Sequence, residues 1–163
     1  MIPRRTTSRV LHRWRRERHR SDLAPDERNF EGREFEDELA ELPGQYAPPR
    51  GRLLIAYEAD QPVGCAALCD LGNGVCEAER IFVTDLFRGQ RVGRALIERL
   101  LLEAKGAGYR RMCLGTSSQE DEAMRLCEHA GFQPIRLDQE ANEAADRIRH
   151  PRVLFERDLR VAL

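Results

Sequence analysis

A basic, glycine-bearing segment follows an apolar, strand-like segment near the middle of the chain. The first segment reads Cys76-Glu-Ala-Glu-Arg-Ile-Phe-Val83 and the second reads Arg88-Gly-Gln-Arg-Val-Gly-Arg-Ala95. If a helix begins in the second segment, unpaired backbone N–H groups, the positive end of the helix dipole and several arginines meet at one place. A phosphate or pyrophosphate needs this combination. The sequence therefore predicts a site for a phosphorylated ligand after the strand.

Two common phosphate-binding motifs do not describe this segment. It lacks the Gly-Lys-Ser/Thr ending of a nucleoside-triphosphate loop, and it lacks the full G-x-G-x-x-G spacing of a dinucleotide site. A plain alternative also exists, because Gly89 and Gly93 could serve only a tight turn and a close contact between helix and sheet. A second motif is needed to decide between a phosphate site and a purely structural turn.

The second motif lies about two dozen residues later and reads Ala123-Met-Arg-Leu-Cys-Glu-His-Ala-Gly-Phe132, after the strand-like residues 111–115. In this order, the two stretches resemble the GNAT superfamily of acyl-coenzyme A-dependent N-acetyltransferases. The first family motif reads R/Q-x-x-G-x-G/A and the second commonly reads A-x-x-L-Y-x-x-x-G-F. The resemblance covers about residues 29–137 and a last strand near 152–159, and residues 35–54 are similar to a bacterial subgroup of the family. The matching residues are Arg88, Gly93, Ala123, Leu126, Gly131 and Phe132.

The resemblance implies that acetyl-coenzyme A is the cosubstrate, with no metal, and that the chain is an enzyme. It implies that the edge of strand 81–83 pairs with the pantetheine arm and that the amides of residues 88–94 take the pyrophosphate. The arginine side chains there could add charge-assisted contacts or could be ordinary surface arginines. The expected cofactor-binding residues are Ile81, Phe82, Val83, Arg88, Gly89, Gln90, Arg91, Val92, Gly93 and Arg94.

Acyl transfer to an amine also requires a group that removes a proton. A primary amine has a pKa near ~10 and is almost wholly protonated at neutral pH, so a carboxylate is expected near it. Glu77 occupies the position at which many family members hold such a glutamate, and Glu79 is the second candidate. Family members commonly have a bulge in this strand, so alternation alone does not settle which side chain faces the site. Either glutamate could instead be an exposed strand carboxylate.

The chain departs from the family pattern at two positions. Arg91 stands where the second glycine of the first motif is usual, and Cys127 stands where a tyrosine usually protonates the departing thiolate. A thiol with a pKa near ~8.5 could donate a proton, but its side chain is shorter than a phenol. Cys127 is therefore either the catalytic acid or a passive helix residue, in which case solvent protonates the thiolate.

The elements that must position these residues follow from the hydrophobic pattern and from the turn residues at 43–44, 59–60 and 72–74. The fold class is α/β in the broad sense, an α+β single domain with a GNAT-type mixed β-sheet flanked by helices. Residues 138–150 have no clear core face, and the usual first strand is hard to find in residues 1–8. The pattern predicts helices at 8–20, 30–41, 92–104 and 120–130 and strands at 53–57, 63–68, 76–83, 110–114, 132–137 and 152–159.

Composition bounds the remaining possibilities. The 163 residues suit one domain, with a basic segment over residues 1–20 that is helical in part and a GNAT domain over residues 21–163. Residues 1–20 carry eight Arg and one Glu, a net charge of +7, within a chain of net charge −1. There is no secretory signal and no run of about 18 apolar residues, so we expect a cytoplasmic protein without a membrane partner. The five cysteines are expected to be free and mostly buried, without a disulfide or a metal.

Three functions remain open from the sequence. The leading one is acetyl transfer from acetyl-coenzyme A to an amine of a small molecule or protein. The second is a coenzyme A-binding regulatory module whose catalysis has lapsed together with the tyrosine. The third is a polyanion-binding protein that uses the arginine-rich residues 1–20. Nucleic acid is disfavoured as a partner because Trp14 is the only aromatic residue in that segment. The acceptor is not identified, and a homodimer is left open.

Overall fold

In the computed structural model, the described residues are 37–116, 121–135 and 153–160. The predicted helix at 8–20, the first eight residues and segment 138–150 lie outside these ranges, and so does the first part of the predicted helix at 30–41. Residues 37–41 are helical, and this helix ends before Pro43 and Gly44, as predicted.

The sheet has six strands, and it begins as a meander. Turns that require positive φ angles separate its first three strands: Ala59 has φ of 49°, and in the next hairpin Gly72, Asn73 and Gly74 have φ angles of 86°, 52° and 74°. The sequence predicted both turns. The strands are β1 (Arg52–Glu58), β2 (Gln61–Gly72), β3 (Val75–Val83), β4 (Arg111–Thr116), β5 (Gln133–Pro134) and β6 (Val153–Asp158).

The strand order is β1-β2-β3-β4-β6-β5. The pairing of β3 with β4 is parallel and the other four pairings are antiparallel, so the sheet is mixed, as predicted. The parallel pair requires a crossover, and helix α1 (Val92–Gly106) supplies it between β3 and β4. This connection places the start of α1 directly after the end of β3.

Two helices cover one face of the sheet. Helix α1 ends near Gly108, whose φ is 86°, and helix α2 spans Asp121–His129. Both match their predicted positions. Among the described residues, neither helix is long and apolar enough to span a membrane. On α1, the residues that face the core are Leu96, Ile97, Leu100, Leu101 and Ala104.

The two faces of the sheet carry separate cores because side chains alternate along β2. Ala66 and Leu68 pack in the core beneath α1 and α2. Cys65, Ala67 and Cys69 face the other way. There they pack with Leu42 and Tyr46, which belong to the segment that follows residues 37–41. The chemistry described below lies mainly on this second face.

Three local features differ from the sequence prediction. Strand β5 has only two residues, Gln133–Pro134, where residues 132–137 were predicted to be extended. The N–H of Ile135 still donates to the Leu154 carbonyl at 2.8 Å, and residues 136 and 137 lie outside the described ranges. Two short 3-10 helices were not predicted, at Gly44–Tyr46 and Asp85–Phe87. Each is a single turn, which is too short to give a periodic hydrophobic pattern.

Candidate active site

The loop between β3 and α1 contains two residues in the left-handed conformation. Gly89 has φ of 73°, and Arg91, which precedes the first helical residue, has φ of 65° and ψ of 8°. Glycine adopts this conformation without steric cost, whereas an arginine pays of the order of 1 kcal/mol. The conformation explains why the family has a glycine at position 91. The chain keeps the glycine-like backbone and adds a cationic side chain.

The start of α1 presents backbone N–H groups. The first intrahelical hydrogen bond runs from the N–H of Ala95 to the carbonyl oxygen of Arg91, at 3.0 Å, and Arg91 makes no side-chain cap. The N–H groups of residues 92–94 precede that bond, and they lie at the positive end of a 15-residue helix. This arrangement is suited to an anionic ligand.

Two of the three arginines around the loop already have acidic partners. Arg88 Nη1 lies 3.1 Å from Asp85 Oδ1, and Arg94 Nε lies 2.7 Å from Glu98 Oε1. All four side chains are about half exposed or more, so these pairs are weak and can exchange for a phosphate.

Strands β3 and β4 separate beyond Ala78. Their parallel register runs from Val75 opposite Arg111 to Ala78 opposite Leu114 and ends there. Strand β3 continues to Val83, and within the described part of the chain no strand pairs with its residues 79–83 on that side. This open edge contains residues 81–83 and leads directly to the basic loop. An extended, amide-bearing ligand could pair with it.

A β-bulge lies in the same part of β3. Cys65 and Ala67 of β2 are two residues apart, whereas their partners Phe82 and Glu79 are three apart, so β3 contains one extra residue. Arg80 lies inside the bulge with φ of 54°. The family resemblance implied a bulge in this strand, and the register of β2 and β3 contains one. Glu77 lies opposite Cys69, and both glutamates therefore lie on the face of the second core.

The structure brings Glu77 and Glu79 together with a thiol. The Sγ atom of Cys69 and a carboxylate oxygen from each glutamate lie within 4.8 Å of one another. Glu77 is only 8% exposed. Burial raises the pKa of Glu77 to about 8, and the neighbouring charge of Glu79 and a hydrogen bond with it act in the same direction. Near neutral pH, Glu77 can therefore both accept and release a proton.

Glu79 is held by two donors. The Tyr46 hydroxyl lies 2.9 Å from its Oε2 atom, and the Cys69 thiol donates to its Oε1 atom at 3.1 Å. The same hydroxyl lies 2.9 Å from Glu38 Oε1, and Glu38 forms an ion pair with Arg80, whose Nε atom is 3.0 Å from that oxygen. A connected polar network thus runs from Glu77 to Glu38.

The fold holds Tyr46 tightly in this network. Tyr46 is 1% exposed, its N–H donates to the Pro43 carbonyl at 2.7 Å, and the N–H of Gly51 donates to Ala47 at 2.8 Å. A Cβ atom at Gly51 would lie 2.3 Å from the carbonyl oxygen of Gln45. Only glycine lets the segment fold back this closely.

Sequence reasoning missed four residues of the network, namely Glu38, Tyr46, Cys69 and Arg80. Tyr46 and Glu79 are 33 residues apart and Arg80 and Glu38 are 42 apart, so no local pattern connects them. Only the expected bulge in β3 pointed to one of them. Regular alternation would place Arg80 on the face opposite Glu79, and the bulge brings it to the same face.

Cys127 lies apart from this network. Its side chain is 2% exposed and packs in the core beneath α1 and α2, on the opposite face from Cys69. Burial raises the pKa of the Cys127 thiol to about 11, with a smaller contribution from Glu128. Such a thiol is a weaker acid than an exposed cysteine.

The cluster of Cys69, Glu77 and Glu79 also has donor atoms suited to a divalent metal ion, although the sequence predicted none. Burial raises the pKa of Cys69 far above its usual range, helped by the charge of Glu79, so the thiol keeps its proton and donates it to Glu79. The other cysteines are buried too, and all five are free.

Strand β3 thus carries a buried carboxyl pair and leads into a basic helix start, next to the point at which the sheet opens after Ala78. The chain belongs to the GNAT acetyltransferase family, whose model matches residues 11–132. Enzymes of this family transfer an acetyl group from acetyl-coenzyme A. The family and the fold class predicted from the sequence are therefore confirmed.

Relatives in sequence agree with the family. The IAA acetyltransferase of Azospirillum brasilense is 33% identical over 117 residues, which cover 71% of each chain. An uncharacterized N-acetyltransferase of Schizosaccharomyces pombe is 34% identical over 100 residues, which are 60% of this chain and 61% of that one. The chain thus spans less than two thirds of the length of the second relative.

Solved structures agree with the fold. A GNAT-family acetyltransferase from Staphylococcus aureus superposes with a TM-score of 0.74 at 15% identity, covering 96% of this chain and 92% of that one. The paia N-acetyltransferase from Thermoplasma acidophilum, in complex with coenzyme A, superposes with a TM-score of 0.69 at 15% identity, covering 95% and 92%.

Proposed function

We propose that this protein transfers an acetyl group from acetyl-coenzyme A to an amine of a small molecule or protein, with Glu77 as the general base. The observation that carries the proposal is the position of Glu77. It is a buried carboxyl with a pKa raised to about 8, and it lies on the strand that leads into the basic loop. A base with a pKa near the working pH is the most efficient at proton transfer.

The cosubstrate fits the chain's own groups. The amides at the start of α1 and the arginines at 88, 91 and 94 would hold the pyrophosphate, and the open edge of β3 at residues 81–83 would pair with the pantetheine arm. The relative from Thermoplasma acidophilum was solved with coenzyme A, which supports the same ligand here. Acetyl-coenzyme A supplies the activated acetyl group.

Glu77 then has a defined task. It accepts the proton from the acceptor's ammonium group, so that the nitrogen lone pair becomes available. Its burial keeps water away from the reacting groups, and Glu79 keeps its pKa high enough for this transfer. The departing thiolate takes its proton from solvent, because Cys127 is buried on the other side of the sheet.

The test begins with acetyl-coenzyme A alone. It should raise the melting temperature, since a ligand that binds only the folded state stabilises it. A panel of amines is then screened for thiol release. With an accepted amine, Glu77→Gln should lower kcat by roughly ten- to a thousandfold at pH 7 and leave the Kd of acetyl-coenzyme A nearly unchanged.

Glu58→Gln is the matched control, because Glu58 is an exposed glutamate at the end of β1. It should leave kcat unchanged. Stabilisation by acetyl-coenzyme A without thiol release for any amine would favour the lapsed, coenzyme A-binding module instead. Full activity in Glu77→Gln would transfer the role of the base to Glu79 or to water.

A further inference from the structure

A buried general base must lose the proton it has accepted before the next turnover. If Glu77 takes a proton from every ammonium group, as in the proposed function on which this inference rests, that proton has to leave before the next cycle. Glu77 is 8% exposed, so direct exchange with bulk water is restricted. The hydrogen-bonded network beside it offers a path.

The path consists of four consecutive groups on one face of the sheet. Glu77 contacts Glu79 within 4.8 Å. Glu79 Oε2 lies 2.9 Å from the hydroxyl of Tyr46. That hydroxyl lies 2.9 Å from Oε1 of Glu38. Glu38 is more accessible than Glu77, because 16% of its side chain is exposed and its ion-pair partner Arg80 is 24% exposed.

The hydroxyl of Tyr46 lies between two carboxyl groups but carries one proton. It can donate to Glu79 or to Glu38, and not to both at once. When it donates to Glu38, the contact with Glu79 at 2.9 Å is favourable only if Glu79 carries a proton and donates it to the phenol oxygen. The geometry therefore supports two proton arrangements that differ by a shift of protons along the network.

We propose that Glu79, Tyr46 and Glu38 form a proton relay that carries the proton from Glu77 to solvent. Glu77 passes its proton to Glu79. The protonated Glu79 donates it to the oxygen of Tyr46 while the phenol proton moves to Glu38, and Glu38 releases it to water. One proton leaves, and the relay is reset when the O–H bond of Tyr46, which then points to Glu79, rotates back towards Glu38. In the proposed path none of the three is given a contact with the amine, so they are relay and positioning residues.

Neighbouring groups set the protonation states that the relay requires. Burial and the charge of Glu79 raise the pKa of Tyr46, so the phenol does not ionise and must receive one proton as it gives another. Burial opposes the charge of Arg80, but its hydrogen bond with Glu38 keeps its pKa raised and the guanidinium cationic. Among the described residues, the thiols of Cys69 and Cys113 lie beside these glutamates, with Glu156 opposite Cys113 on β6, and burial raises the pKa of both thiols.

The test variant is Tyr46→Phe, which removes the hydroxyl and keeps the ring. Tyr109→Phe is the matched control, because Tyr109 is also a buried tyrosine whose hydroxyl is hydrogen-bonded, donating to the Arg50 carbonyl at 3.0 Å, and it lies outside the relay. At pH 9, where Glu77 starts deprotonated, the first turnover of Tyr46→Phe should match the wild type. Later turnovers should be about tenfold slower, which gives a burst.

Added buffer provides the second readout. Imidazole at high concentration should restore the later turnovers of Tyr46→Phe, because it removes the proton directly, and it should leave the wild type and Tyr109→Phe unaffected. A merely structural loss would slow the first turnover as well and would not respond to buffer. If Tyr46→Phe does not fold, Glu38→Gln decides, with the same burst and rescue expected.

The outcomes separate the relay from the proposed function. If the wild type is active and Glu77→Gln is slow, but Tyr46→Phe and Glu38→Gln turn over like the wild type without added buffer, the relay is refuted and the proton leaves from Glu79. If the wild type releases no thiol with any amine, or Glu77→Gln is fully active, the proposed function fails instead, and the relay fails with it.

Discussion

At the scale of single residues, the two deviations from the family motifs have different physical outcomes. Arg91 adopts the left-handed conformation that glycine favours, so the loop combines a glycine-like backbone with a cationic side chain. Cys127 lies in the core with its thiol shielded from solvent. A small apolar-like side chain in that position serves packing, as free cysteine commonly does.

We therefore expect Cys127→Ala to change kcat by less than about threefold while lowering the free energy of unfolding by about 1 kcal/mol, because it removes one buried atom. Cys127→Tyr should be destabilised by about 1–3 kcal/mol, because a phenol overfills the site. Thiol-release kinetics and urea denaturation of both variants measure these effects. A tenfold loss of kcat in the alanine variant, with stability preserved, would make Cys127 the working acid.

The candidate base could be predicted from sequence, and its surroundings could not. The family resemblance placed Glu77 and Glu79 on a strand before the cofactor loop, and that prediction needed only local order. Tyr46 and Glu38 reach Glu79 and Arg80 through the fold-back of residues 42–51 and through the bulge. Such contacts depend on the tertiary path, which a local hydrophobic pattern does not contain.

At the scale of elements, the start of α1 depends on one close contact. Gly93 lies in its first turn, where an added Cβ atom would be 3.2 Å from Leu126 Cδ2 and 3.6 Å from Val83 Cγ2. Both neighbours are ends of side chains, so a methyl group can be accommodated by a small shift. A branched side chain cannot. This contact joins α1 to α2 and to β3 at the proposed pyrophosphate site.

Gly93→Ala should accordingly keep the rise in melting temperature caused by acetyl-coenzyme A, whereas Gly93→Val should lose most of it, since the helix start must move away from β3. The control is Gly106→Val, at the other end of the same helix, where no atom lies within 4 Å of an added Cβ. It should retain the ligand-induced shift. Thermal denaturation with and without ligand measures all three, and an undiminished shift in Gly93→Val would contradict the placement of the site.

Helices, strands and turns could be predicted from the sequence where apolar residues recur at a regular spacing or where a turn requires a particular residue type. The five core positions of α1 recur at helical spacing, and the hairpin at residues 72–74 needs positive φ angles that Gly and Asn supply. Strand β5 has neither a repeating pattern nor a turn residue that marks its end. Its sequence is compatible with a longer extended segment, although only two residues pair with β6. The single 3-10 turns were missed for the same lack of repetition.

At the scale of the whole molecule, the buried carboxyl pair links folding to pH. The pKa of Glu77 rises from 4.5 to about 8 in the folded state, so between these values the folded protein binds more protons than the unfolded chain. Proton binding by Glu77 therefore contributes its full amount to the free energy of unfolding below about pH 4.5. This contribution is lost as the pH rises through 8.

The wild type should lose more stability than Glu77→Gln between pH 5 and pH 9, by at most about 5 kcal/mol, because glutamine has no charge to bury. Urea denaturation of both proteins at several pH values gives the difference, which cancels the titration of other groups. Parallel stability curves for the two proteins would show that Glu77 titrates normally and is not buried in solution.

The open edge of β3 has a consequence for the protein before it meets its cosubstrate. On the side away from β2, no described strand pairs with residues 79–83, and a strand edge of this kind is a template for another chain. The bulge at Arg80 interrupts the regular spacing of this edge, which hinders a foreign strand from extending along it. Cellular coenzyme A would then act as more than a substrate, since its extended arm would shield the edge on which self-association could begin.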